Sequence, residues 1–264
     1  MDKVVPSAAE AVADIPSGAS IAVGGFGLSG IPWNLIEALL DQGADDLTVV
    51  SNNCGVDGAG LGLLLERRRV SRVVASYIGE NREFGRQYLA GELEVELTPQ
   101  GTLAERLRAG GAGIGAFFTP AGVGTLVAEG GLPWRYHPDG TVAVASPAKE
   151  VRSFGGRDMV LEESIVTDVA LVRAAVADRQ GNLLFHAAAR NFNPDVAMAG
   201  RLTIVEAEEV VDRGRIPPDQ VHLPGIFVQR VVPLTPDQAA RKMIEKRTVR
   251  ARTTPHGGAD GLEP

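Results

Sequence analysis

Ile21-Ala22-Val23-Gly24-Gly25-Phe26-Gly27-Leu28-Ser29-Gly30-Ile31-Pro32, continued by Trp33-Asn34-Leu35-Ile36-Glu37-Ala38-Leu39-Leu40, decides the fold. A short apolar run stops at glycines, and the next residues place Leu35, Ile36, Leu39 and Leu40 on one helical face before Gly43 supplies a stop. That is a strand, a turn and a helix. The same grammar repeats downstream. Leu47 to Val50, Val73 to Tyr77, Leu93 to Leu97 and Ile114 to Thr119 read as strands, separated by helices over Leu61 to Arg69, Glu83 to Ala90 and Thr102 to Ala109. Arg67-Arg68-Arg69 would sit at the negative end of its helix. Repeated crossovers of this kind predict an α/β fold built on an open, largely parallel sheet with flanking helices.

Beyond about residue 130 the pattern changes. Thr141 to Ser146, Val151 to Phe154 and Asp158 to Leu161 around Gly155-Gly156, and Val169 to Val176 with Leu183 to Phe185 around Gln180-Gly181-Asn182, read as antiparallel additions. Val211 to Gly225 reads as loop, and Thr235-Pro236-Asp237-Gln238 as a capping box opening a last helix through Arg247. Residues 1–250 form one domain in this reading and 251–264 a flexible tail.

Composition narrows the function. With 264 residues, 44% of them hydrophobic and 22% charged, the chain can bury a substantial core. A formal charge of −7 argues against a nucleic-acid groove, which needs a basic face to release counterions. No apolar run reaches the roughly 20 residues that span a bilayer, and Asp2, Glu10 and Asp14 interrupt the first 14 positions where a signal peptide would carry its apolar segment, so a cytoplasmic location is expected. One cysteine, Cys54, excludes an internal disulfide framework. His137, His186, His222 and His256 fall at no metal-ligand spacing, so no metal is expected. The lysines, Lys3, Lys149, Lys242 and Lys246, lie away from apolar strand ends, which disfavours Schiff-base chemistry.

Gly25 to Gly30 is a literal G-x-G-x-x-G. It reads either as a phosphate-receiving loop at a helix N-terminus or as a tight turn that lets the backbone cross. A dinucleotide site is disfavoured because the second strand closes with Ser51-Asn52-Asn53 where a ribose-binding acid belongs. A sugar-phosphate isomerase or another nucleotide-binding module remains an alternative. Phe26 reads as core packing or as a lid over ligand, with core packing favoured.

Thr102 and Glu105 have capping-box spacing, which would place Gln100 just outside a helix N-terminus at a strand's carboxyl end. A carboxamide there can stabilise an oxyanion without titrating, or it can tie down a loop. Asn52 and Asn53 are either substrate-orienting amides or ordinary turn residues, and Glu80 either binds or caps the following helix. Cys54 has no activating histidine nearby in sequence and reads as a buried thiol.

Ile21 to Pro32 resembles the glycine signature of family I CoA-transferases. Ser51-Asn52-Asn53, Gly79-Glu80-Asn81, Gly91 to Arg106, Gly110-Gly111-Ala112-Gly113 and Ala189-Arg190-Asn191-Phe192-Asn193-Pro194 resemble the alpha (A) subunits of the succinyl-CoA:3-ketoacid branch, in the right order, from about residue 3 to 247. Tyr77 to Gln87 is more similar to that branch than to the 3-oxoadipate branch. The resemblance implies the NagB/RpiA/CoA-transferase type of fold and a two-polypeptide active site. A glutamate of a separate beta subunit would attack the acyl-CoA and carry a glutamyl-CoA thioester, and this chain has Asn52 where the beta subunit has that glutamate. Coenzyme A would be a substrate bound largely by the beta subunit, with no permanent cofactor, and acetoacetate or 3-oxoadipate the acceptor. Gln100 would stabilise the oxyanion. Gly24, Gly25, Phe26, Gly27, Gly30, Asn52, Asn53 and Thr98 would line the substrate site, with Glu80, Asn191 and Asn193 as further candidates.

Overall fold

The computed structural model describes residues 1–79 and 81–242. Glu80, the expected helix end at Arg247 and the boundary between domain and tail lie outside the described residues. In chain order the elements are α1 (Ala8–Val12), β1 (Ser20–Val23), α2 (Trp33–Gln42), β2 (Leu47–Val50), α3 (Gly62–Glu66), β3 (Val70–Ala75), α4 (Arg82–Leu89), β4 (Glu94–Leu97), α5 (Gln100–Gly111), β5 (Ala116–Thr119), α6 (Leu126–Glu129), β6 (Pro133–Tyr136), β7 (Val142–Ala145), β8 (Val151–Phe154) and β9 (Arg157–Glu163). They continue with β10 (Thr167–Asp178), β11 (Leu183–Leu184), α7 (Asn193–Ala199), β12 (Gly200–Val211), β13 (Arg230–Pro233) and α8 (Pro236–Ala240).

The main sheet runs β13-β12-β10-β1-β2-β3-β4, parallel at every pairing, with β11 antiparallel on β10. Its strands are covered on both faces, and successive residues point to opposite sides. Ile21, Val23, Val49, Val73 and Leu171 pack in one core with Leu35, Ile36 and Leu39 of α2. Ala22, Val50, Val74 and Val172 pack in the other with Leu103 and Leu107 of α5 and Val196 of α7. Each valine, leucine or isoleucine among them, taken wholly out of water, contributes about 1.5–3 kcal/mol.

The expected antiparallel character of the second half is met only in part. The sheet β5-β9-β8 and the hairpin β6-β7 are antiparallel and separate, and β11 returns antiparallel on β10 as the hairpin around Gly181 requires, but β10, β12 and β13 extend the parallel sheet, and β5, expected as a further crossover strand, leaves it to pair with β9. Strand β12 was not anticipated because Glu206, Glu208 and Glu209 interrupt its apolar pattern. Helix α3 is one turn, and Arg67-Arg68-Arg69 lie beyond it, with Arg68 at φ 53° leading into β3.

The chain adds strands on one side of β1 from β2 to β4, then returns to the other side with β10, β12 and β13. Ligand crevices in open parallel sheets form at the carboxyl edge where the order reverses. The glycine turn follows β1 at that reversal, Asn52-Asn53 follow β2, Ser76 follows β3, and Thr98-Pro99-Gln100 follow β4.

Candidate functional site

Asn52 and Gln100, 48 residues apart, meet at this edge. Gln100 Nε2 donates to Asn52 Oδ1 at 2.7 Å, and Ser76 Oγ donates to the same oxygen at 3.0 Å. Ser76 also donates through its backbone N–H to the Asn52 carbonyl at 3.0 Å, and Ser51 Oγ ties the tip of β2 to Val23 O at 2.9 Å. Asn52 and Asn53 are buried, whereas Gln100 is exposed. Two neighbouring strand tips therefore hold the Asn52 oxygen in place. A carboxamide nitrogen has two hydrogens, and Gln100 spends one on Asn52, which aims its amide while keeping the second for an incoming oxygen.

Gln100 is the first residue of α5, and Pro99 is its N-cap with no side-chain cap. The capping box expected at Thr102 and Glu105 does not form. The helix starts three residues earlier than that box requires, the Thr102 hydroxyl is buried without a partner among the described residues, and Glu105 pairs with Arg108 at 2.6 Å. The positive end of a 12-residue helix thus opens beside the amide pair.

Two other helices at this edge differ. The first backbone N–H groups of α4 are taken by Asp57 Oδ1, from Arg82 N at 2.9 Å and Glu83 N at 3.2 Å, and by Asn81 Oδ1, from Phe84 N at 2.9 Å. Those of α2 are taken by the buried Glu206, whose Oε2 accepts from Asn34 N at 2.9 Å and Leu35 N at 3.0 Å. A phosphate arriving from the glycine turn would meet a carboxylate already seated. The turn is therefore not a phosphate loop, and the sugar-phosphate and nucleotide alternatives lose their anchor.

The glycines have steric causes instead. Gly25 stands at φ 114°, a β-carbon on Gly24 would overlap Asn193 Oδ1, and one on Gly30 would lie 2.6 Å from Ala189 O. Asn193, wholly buried, donates to Gly30 O at 3.0 Å and Ala189 O at 2.9 Å, and Asn191 donates to Ser29 O at 3.0 Å. These two asparagines hold the turn from behind. Thr98 is also buried, its hydroxyl facing Arg106 Nη1 at 3.4 Å. Phe26, expected in the core, is 49% exposed at the tip of the turn bounded by Gly25 and Gly27, where Phe26 and Ser29 exchange two 3.0 Å backbone hydrogen bonds. The site thus joins Asn52 to Gln100. It does not bring Thr98, Asn191 or Asn193 to them, and Glu80 lies outside the described residues.

Ser76, Asp57 and Glu206 were missed from sequence. Asp57 belongs to a second glycine turn, Val56 to Ala59, closed by the same pair of backbone bonds as Phe26 to Ser29, and Gly55, Gly58 and Gly60 were its signal. Ser76 and Glu206 carried none. Burial pushes the Cys54 thiol far above its ordinary range, so it is no nucleophile at neutral pH.

The family model for coenzyme A transferase matches residues 5–233. The chain belongs to the coenzyme A transferase family. It is 66% identical over 250 residues to the A-type subunit of a probable succinyl-CoA:3-ketoacid coenzyme A transferase from Mycobacterium tuberculosis, covering 95% of this chain and 100% of that one. It is 54% identical over 240 residues to the human mitochondrial succinyl-CoA:3-ketoacid coenzyme A transferase 2, covering 91% of this chain and 46% of that one. In fold it is similar to an Escherichia coli O157:H7 acyl-CoA transferase solved as a thioester complex with CoA, with a TM-score of 0.74 at 24% identity, covering 90% of this chain and 48% of that one.

Proposed function

We propose that this coenzyme A transferase chain is the alpha subunit of a succinyl-CoA:3-ketoacid CoA-transferase, supplying neutral donors to a cleft whose nucleophilic glutamate comes from a beta subunit. The observation that carries the reading is the Gln100–Asn52 amide pair beside the uncapped start of α5, with an asparagine where a nucleophilic carboxylate would stand. In the reaction, the partner's carboxylate adds to the thioester carbonyl of succinyl-CoA, and charge gathers on the carbonyl oxygen. The remaining Gln100 N–H and the helix end stabilise that oxygen. Collapse expels CoA thiolate and leaves a mixed anhydride. The thiolate then attacks the glutamyl carbonyl, releasing succinate and forming the glutamyl-CoA thioester. Acetoacetate reverses both steps and leaves as its CoA ester.

Neutrality at position 52 suits this chemistry. A carboxylate there, brought within about 4 Å of the partner's glutamate or a substrate acid, would meet a repulsion of about 4 kcal/mol at an effective dielectric near 20. Exposed apolar side chains support a partner surface around the same edge. Phe26, Tyr77 and Leu97 sit at the carboxyl ends of β1, β3 and β4, at 49%, 59% and 41% exposure. Among the described residues no helix is long and apolar enough to cross a membrane.

The test is reconstitution. The chain alone should give no acetoacetyl-CoA from succinyl-CoA and acetoacetate, and adding the beta subunit should restore transfer. Turnover by the single chain would refute the reading. Competition between acetoacetate and 3-oxoadipate assigns the acceptor.

A further inference from the structure

Glu206 is wholly buried on β12, and among the described residues its hydrogen bonds go to α2 and Arg173 and not to Asn52, Ser76 or Gln100. Its Oε2 accepts the two backbone N–H groups that open α2, at 2.9 and 3.0 Å, and its Oε1 lies 3.4 Å from Asn34 Nδ2 and 3.3 Å from Arg173 Nη1. Arg173, on β10, reaches Glu208 Oε1 at 3.0 Å and the carbonyls of Ala239 at 2.9 Å and Arg241 at 3.3 Å. Its backbone N–H donates to Asn193 Oδ1 at 3.1 Å, and Asn193 holds Gly30 O. The glycine turn therefore hangs between two anchors that meet at this ion pair: Glu206 at its helix end and Asn193 along its back. Other charged or titratable groups around the pair are Glu208 on β12, Lys242 on Glu208 at 2.8 Å, and Arg241 on Glu37 of α2 at 2.8 Å. His186 shares with Arg173, Glu208, Arg241 and Lys242 a surface cavity of about 280 Å³.

We propose that Glu206 is a positioning residue for CoA transfer: its ionised carboxylate fixes the first turn of α2, and through it the glycine turn that presents Phe26 at the rim of the cleft. The role rests on the transfer reading given above. Hydrogen bonds to a charged acceptor are roughly twice as strong as those to a neutral one. A proton on Glu206 weakens both bonds to α2 and leaves Arg173 with Glu208 as its remaining carboxylate partner. Burial outweighs Arg173 and the N–H donors and pushes Glu206 up to about 7, so the neutral form gains ground just below neutrality.

The test uses the purified two-chain complex carrying Glu206→Gln, which keeps size and removes charge, with kcat and KM followed from about pH 5.5 to about 9. Wild type should lose kcat/KM through a one-proton acid limb near neutrality. The variant should be about tenfold slower than wild type at the alkaline end, match the wild-type acid plateau and lack the limb. A purely structural role would lower thermal stability and leave the limb in place, and an unmoved limb overturns the proposal. If the variant fails to assemble, infrared difference spectra of the wild-type complex decide instead. A carboxylic-acid band should grow in below neutrality. Asn34→Ala, which removes one hydrogen bond from the ionised form, should move band and limb together to higher pH, and a limb that stays put overturns the role. A wild-type complex without transfer activity would sink the transfer reading, and the band would still report whether Glu206 titrates; its absence overturns the proposal.

Discussion

Gln100→Ala removes the one side chain that combines an aimed amide, exposure to the cleft and a seat on the positive end of α5. Losing a fully preorganised oxyanion donor costs about 10²–10³ in kcat, or ~2.7–4 kcal/mol. Gln100 is exposed and shares its nitrogen with Asn52, and the helix end stays in the variant, so a loss near the lower bound, about 10²-fold, is expected. The fold should hardly notice. Ser76 still donates to Asn52 Oδ1, and an exposed substitution changes stability by roughly 0.5 kcal/mol or less. The assay is acetoacetyl-CoA formation by the co-expressed complex, with assembly checked by size-exclusion chromatography. Gln100→Glu sharpens the test. A helix N-terminus favours a carboxylate by about 0.3–1 kcal/mol, so the chain should fold at least as well. The new charge would face the Asn52 oxygen and the reacting carboxylates, and activity should fall further than in the alanine variant. An intact Gln100→Ala complex turning over within about twofold of wild type would refute the oxyanion role.

Gly24→Ala should destabilise the chain by roughly 1–3 kcal/mol, read as a lowered melting temperature, because its β-carbon runs into Asn193. Cys54 should resist thiol reagents in the native chain and react on unfolding, since it is buried and its thiol is pushed up. Glu206 has a folded value raised from 4.5 to about 7, so its contribution to stability is complete below about 4.5 and is lost as pH rises to about 7, a change on the order of a few kcal/mol. The difference in denaturant midpoint between wild type and Glu206→Gln across that window should carry this slope, and a difference that does not change with pH would contradict it.

Much of the sheet was legible in the chain because apolar runs alternate with helical periods and glycine stops. Helix α2 shows this, with Leu35, Ile36 and Leu39 buried and Gly43 at φ 96°. Strand β12 was not legible, since it carries glutamates at buried and half-buried positions. Glu206 breaks the pattern because it serves another element's N–H groups 171 and 172 residues away, a partnership that no local rule encodes. The start of α5 misled for the opposite reason: a valid capping spacing at Thr102 and Glu105 was overridden by Pro99, which begins the helix earlier. At the site, the strand-tip amides could be found from their position at apolar run ends. Their contact could not, because the meeting of Asn52, Ser76 and Gln100 depends on β2, β3 and β4 lying side by side in register.

The division of labour between two chains is tested most directly by trapping the intermediate. The reconstituted complex, exposed to succinyl-CoA and reduced with labelled borohydride, converts a glutamyl thioester to a labelled alcohol that peptide mapping can place. The label should fall on a glutamate of the beta subunit, leaving this chain blank. A labelled residue on this chain would contradict the account.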